Sequence, residues 1–253
     1  MDKNIIHRMG YYSNQEGIAM RYLREDDNWN EHLGNTRRFV LSVVKKLRPS
    51  LVTVLGSGWL LDIPLQEIIR LGCRVRLVDL VHPPGIVKSL SDEPAVEIVV
   101  DDITGGLTEM TWHIAAARRK PEICEIMEVL GTLDYSTPDD PGLLLSVNLL
   151  SQLSTLPFEF LEKRRILKPD SAEEFSRIIQ QKHLAFLRKH DSVLVTDVAE
   201  LQTDRNGILH RREIIHCSLP AGHMRREWTW QFDTGGSYKH GHTTNMQVVA
   251  IHI

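Results

Sequence analysis

The stretch Val52–Leu65, "VTVLGSGWLLDIPL", decides how the chain is read. Four strand-forming residues run straight into Gly56-Ser57-Gly58, and a segment with helix-forming character follows. A glycine pair where a buried strand gives way to a helix lets the backbone bend sharply and approach a ligand closely. Such a turn receives nucleotide-like molecules, so the residues around it must say which one.

Working outward, strands are expected over 51–55, 74–80, 96–100, 143–148 and 193–198, with helix-length connections between them. That alternation implies a parallel sheet with helices on both faces. Asp62 is expected to cap a helix over 62–71, with Pro64 in its first turn and Gly72 at its end. A second helix is expected over 121–130. A third, over 171–190, opens with Ser171-x-x-Glu174, the spacing of a capping box.

Beyond residue 204 the pattern changes. Asp204-Arg205-Asn206-Gly207 reads as a turn between strand-like stretches, and strands near 227–232 and 247–253 have no helix between them, so the carboxyl end is expected to be antiparallel. Before the first strand, apolar residues at Trp29, Leu33, Phe39, Val40, Val43, Val44 and Leu47 follow helical spacing that stops at Pro49. A shorter helix is expected over 15–24. The expected architecture is one α/β unit over 1–253: a helical amino-terminal cap (1–50) on a Rossmann-like, mostly parallel core (51–253) with an antiparallel carboxy-terminal strand pair.

Composition narrows the function. Of 253 residues, 42% are hydrophobic and 25% charged, as in globular proteins with a sizeable core. Thirty basic against 33 acidic side chains leave a net charge of −3, which argues against holding nucleic acid by bulk charge. Cys73, Cys124 and Cys217 lie far apart, giving neither a zinc-binding spacing nor a disulfide framework. No apolar stretch approaches a membrane span or a signal-peptide core, so a cytoplasmic protein without membrane association is expected.

These residues resemble the class I S-adenosylmethionine-dependent methyltransferases. The resemblance runs from Leu51 to the end and leaves the helical preface outside it. It implies that Gly56, Ser57 and Gly58 lie beneath the methionine part of S-adenosylmethionine, and that Asp79, closing "VRLVD", holds the ribose. It also implies that Asp101 or Asp102, in "VVDDI", meets the adenine amino group. Two positions depart from the family pattern. Val54 stands where an acid usually helps hold the cofactor's amino group, and Leu61 stands at the third glycine position of a dinucleotide-binding turn, which counts against a nicotinamide cofactor.

The stretch "SVNLLSQLSTLPF" looks like the family's fourth motif and brings Asn148, Ser151 and Gln152 to the expected reaction face. It lacks the pattern of the methyltransferases that act on DNA bases. A small-molecule acceptor is therefore expected, with Tyr11 and Tyr12 of the preface and Tyr238, His240 and His242 of the last connection near it. Histidine is a suitable general base near neutral pH, but no residue stands out as the catalytic base and no metal site is expected. Two other readings remain: a methyltransferase-like scaffold that has lost catalysis, and, less favoured, a nicotinamide-dependent oxidoreductase.

Overall fold

The computed structural model describes residues 2–25, 27–137 and 139–253. Eight strands form one sheet in the order β3-β2-β1-β4-β5-β8-β7, with β6 paired to β5. The strands are β1 (Leu51–Leu55), β2 (Arg74–Asp79), β3 (Val96–Val100), β4 (Leu143–Val147), β5 (Ser192–Asp204), β6 (Leu209–Glu213), β7 (Met224–Asp233) and β8 (His242–His252). The first five run parallel. The last three join antiparallel.

The central strands are apolar at nearly every position because both faces are covered, as parallel sheets require. Val52 and Val54 of β1, Leu143, Leu145 and Val147 of β4, and Val193 and Val195 of β5 enter one core. Leu55, Leu144 and Leu194 enter the other. Helices α3 (Asp27–Leu47) and α4 (Leu65–Arg70) cover the first face; α6 (Leu107–Ala116), α7 (Ile123–Thr132), α8 (Thr155–Lys163) and α9 (Ala172–Leu187) cover the second. Helix α5 (Pro84–Ser89) lies between β2 and β3.

Several expected boundaries move, each for a local reason. The helix expected over 62–71 begins only at Leu65, and Asp62 does not cap it. The capping box expected at Ser171 is not formed: its hydroxyl donates to the Lys168 carbonyl, 2.7 Å away. A capping box does form at Glu122 and Glu125, at the start of α7. Strand β5, expected to stop at Val198, continues to Asp204 through a bulge between Asp197 and Ala199, because β6 and β8 pair with the extension. The turn at residues 204–207 is present, with the Asp204 carboxylate accepting from the Asn206 and Ile208 amides.

The preface contains α1 (Lys3–Arg8), unforeseen from the sequence, and α2 (Tyr11–Glu25), which starts four residues earlier than expected. Ile5 and Met9 bury against Phe160 of α8, with Trp112 of α6 alongside. At its far end α2 reaches the β7–β8 connection: the Glu25 carboxylate accepts from the Thr234 amide and hydroxyl, and the Arg21 guanidinium lies over the Phe232 and Tyr238 rings. Helix α2 therefore crosses the edge where the parallel strands end.

Candidate functional site

Strand β1 ends at Leu55, and the chain turns back through Gly56 (φ 66°) and Gly58 (φ 45°), both in the left-handed region that glycine tolerates best. The Gly56 amide donates to the Val78 carbonyl of β2 at 2.8 Å, which ties the turn to the neighbouring strand. Ser57 is buried, with its hydroxyl 3.3 Å from His82 Nδ1. His82 Nε2 lies 2.8 Å from the Val99 carbonyl, which can only accept, so Nε2 carries a proton.

Asp79 closes β2 directly beside this turn. Its Oδ2 accepts from the Gly58 amide at 2.9 Å and its Oδ1 from the Val81 amide at 3.2 Å. Burial pushes its pKa above the usual carboxylate value, against the opposing pull of those two hydrogen bonds. Each oxygen keeps an unused lone pair, so the group can still accept two hydroxyls.

Of the adjacent acids after β3, Asp102 is turned into its own loop. It accepts from the Thr104 amide and hydroxyl and from the Thr108 amide at 3.0 Å, holding the start of α6. Asp101 is exposed and accepts the Asp102 amide at 2.8 Å. These three bonds leave Asp102, expected with Asp101 near the adenine, one unused lone pair on Oδ2.

Helix α2 covers the turn. Trp59 Nε1 donates to the Gln15 carbonyl at 2.8 Å, and the Gln15 side chain lies against Gly58, where a Cβ would meet its Oε1 at 3.4 Å. That Oε1 is buried without a hydrogen-bond partner. The Tyr11 hydroxyl lies 3.0 Å from Thr108 Oγ1. Burial raises the Tyr11 pKa, with the charges of Asp102 and Asp79 adding to the effect. Leu149 closes the other side: a Cβ on Gly56 would lie 2.6 Å from its Cδ1.

Asn148 follows β4 at φ 50°, a left-handed conformation that asparagine adopts more readily than most residues. Its amide nitrogen atom is placed 2.7 Å from Asp62 Oδ2 and 3.0 Å from His32 Nε2. His32 is 1% exposed, stacked on Trp230 with ring centres 3.9 Å apart, and its Nδ1 accepts from Trp228 Nε1 at 3.1 Å. Burial drives its pKa down to about 3, so it is neutral. Asp62, expected only as a helix cap, and His32, Trp228 and Trp230 were not anticipated at this site from the sequence.

On the β5 side, Ser151 donates to Asp197 at 2.5 Å, and burial raises the Asp197 pKa. Glu200, 1% exposed, accepts from Tyr238 and forms an ion pair with Arg212. Gln152 Nε2 donates to the Asn148 carbonyl at 2.8 Å. The remaining expected residues stand apart from the turn. Tyr12 is exposed beside His7, His240 is exposed, and half-buried His242 lies near His210 and the His240 carbonyl. An open surface pocket of about 250 Å³ lies elsewhere too, lined by Arg211, Glu213, Arg225 and Glu227 among others.

The glycine turn, Asp79, Asp101 and Asn148 all lie at the carboxyl ends of parallel strands. Between β1 and β4 the strand order reverses, and open α/β sheets bind ligands at such a point. The mostly parallel sheet closes with an antiparallel terminal pair. This is the expected Rossmann-like architecture, a mostly parallel sheet covered by helices on both faces. No family model and no curated protein matches the chain. Among solved structures it is similar to Burkholderia thailandensis 1,6-didemethyltoxoflavin-N1-methyltransferase, crystallised with 1,6-didemethyltoxoflavin and S-adenosylhomocysteine. Identity is 15% and the TM-score 0.38, with 95% of this chain and 89% of that one covered. Among the described residues no helix is long and apolar enough to cross a membrane.

Proposed function

We propose that this methyltransferase-fold chain binds S-adenosylmethionine and transfers its methyl group to a small molecule. The observation that carries the reading is Asp79: a carboxylate at the end of β2, hydrogen-bonded to the Gly58 amide and with lone pairs to spare, next to the strand-order reversal. In this reading the Gly56–Gly58 backbone supports the methionine part, Asp79 accepts the ribose hydroxyls, and Asp101, rather than the engaged Asp102, meets the adenine. The unpartnered Gln15 Oε1 beside Gly58 fits a ligand that brings hydrogen-bond donors to this place.

Bound S-adenosylmethionine supplies a methyl group on a positively charged sulfur, open to in-line attack. The chain's own contribution is orientation and exclusion of water. Helix α2 excludes water by lying over the turn, and Gln15, Tyr11 and Leu149 must give way for a ligand to enter. Tyr11, with Asn148 and the β5-side group of Ser151, Asp197 and Tyr238, then borders the acceptor. His240 and His242 are too far toward solvent in this arrangement to be first choices as a general base.

A second reading is favoured by two observations. Val54, in place of the family's usual acid, is buried in the core, and Leu149 packs over Gly56. Both suit a binding or scaffold protein that keeps the fold without the chemistry. Calorimetric titration with S-adenosylmethionine and S-adenosylhomocysteine, on wild type and Asp79→Ala, decides between them. Binding that the substitution weakens by about 1–3 kcal/mol is expected, the cost of leaving buried hydrogen-bonding groups unpaired. Equal affinities would refute the ribose assignment, and no binding to wild type would favour the scaffold.

A further inference from the structure

Three hydrogen bonds in a row constrain where the protons sit between α3, the Asp62 loop and β4. Trp228 Nε1 is a donor only, so His32 Nδ1, 3.1 Å away, must be an acceptor. Turning the ring over would put carbon atoms at both of its contacts and leave Trp228 without its partner. The imidazole is neutral, so its single proton is on Nε2. That N–H faces the Asn148 amide at 3.0 Å and needs an acceptor there. The Asn148 oxygen, not its nitrogen, therefore faces His32, since the two ends of an amide are told apart only by such a network. The same amide end lies 2.7 Å from Asp62 Oδ2. Two oxygens at that distance require a proton between them.

We propose that Asp62 is held as a neutral carboxylic acid donating to Asn148 Oδ1, and that Asp62 and His32 together fix the Asn148 amide so that its two N–H donors receive the carboxylate of the bound cofactor. The buried Asn148 position that has no protein partner then holds the amide nitrogen. Two N–H groups left unmatched there call for an oxygen from a ligand, and an anionic one matches them best. This rests on the cofactor reading above, and it supplies a polar contact to the amino-acid end of the cofactor, where Val54 offers none.

The surroundings of Asp62 agree. Withdrawal from water raises its pKa, and this outweighs the Asn148 hydrogen bond and the attraction of the Arg37 guanidinium, which reaches over from α3 to the Leu61 carbonyl. His32, also on α3, is uncharged and adds no attraction. Asn148 itself cannot swing away readily. Its backbone amide donates to the Val195 carbonyl at 2.8 Å, and its carbonyl accepts from Gln152. Asp62 and His32 are positioning residues, acting through Asn148.

The proton arrangement is tested on the ligand-free wild type. Nitrogen-15 spectra, with His32 assigned by loss of its signals in His32→Gln, are expected to show a proton on Nε2 and none on Nδ1 at neutral pH. Infrared spectra are expected to show a protonated-carboxyl band that Asp62→Asn removes. A proton on His32 Nδ1, or the absence of such a band, would overturn the proposal. The ligand half is tested by titrating S-adenosylmethionine against its decarboxylated analogue. Wild type is expected to prefer the carboxylated molecule by about tenfold or more, as for a hydrogen bond to a charged group. Asn148→Asp, which removes both donors, is expected to lose that preference. An unchanged preference would overturn the carboxylate assignment even if Asp79→Ala weakens binding as expected. If neither molecule binds wild type, the cofactor reading fails and the carboxylate assignment with it, while the spectra still decide the Asp62 proton.

Discussion

His183 offers a measurement that is independent of the candidate site. It lies on α9, 5% exposed, with Nε2 2.8 Å from the Ser146 hydroxyl and Nδ1 without a partner. Burial holds its pKa down at about 4, against 6.5 for an unperturbed histidine. A group depressed in this way adds stability that is fully present above pH 6.5 and is lost as the pH falls toward 4, because the unfolded chain takes up the proton first. Each pH unit in that window is worth about 1.4 kcal/mol. Between pH 7 and pH 4.5 the His183 contribution therefore falls by about 2.5 kcal/mol, a large share of the roughly 5–15 kcal/mol that holds a typical domain folded. Urea unfolding of wild type and His183→Gln at both pH values isolates it, since His32 and the buried acids Asp62, Asp79 and Asp197 titrate alike in both proteins. The variant is expected to lose about 2.5 kcal/mol less on acidification, whatever its offset at pH 7. Parallel pH profiles would refute the argument.

Other outcomes follow from particular contacts. Gly142 sits at φ 65°, and a Cβ there would run into the Leu51 carbonyl, a backbone atom that cannot step aside. Gly142→Ala is expected to cost about 3 kcal/mol or more by urea unfolding, combining left-handed strain with overpacking. Tyr11→Phe removes the partner of the buried Thr108 hydroxyl. It is expected to lower stability by about 0.5–1.5 kcal/mol and to speed hydrogen exchange at the start of α2; unchanged exchange would mean that this bond does not hold the helix down.

The strand series and the glycine turn were legible because they depend on local order: an apolar run, a turn, and an acid where the next strand ends. Strands β1 and β3 have the expected bounds, and Asp79 lies beside Gly58 as that spacing suggests. Asp62 was misread because, next to Pro64, it looked like a cap, whereas the loop runs on to Leu65 and leaves the carboxyl free for Asn148, 86 positions away. His32 gave no local signal either. It falls within an amphipathic helix, and its partners Asn148 and Trp228 are 116 and 196 residues distant. Asp102 and Asp101 could not be told apart from sequence, since which of two adjacent acids bends back onto its own loop depends on where Thr104 and Thr108 fall.

Helix α2 is fastened at both ends, by Tyr11 to Thr108 and by Glu25 to Thr234, with Gln15 over Gly58 between them. A guest of the glycine turn must therefore meet the protein during the fraction of time that this bar is lifted, and its rate of arrival scales with that fraction. Loosening either fastening should quicken both arrival and departure. The bar also touches the connection between the last two strands, so whatever frees one side of the crevice slackens the other.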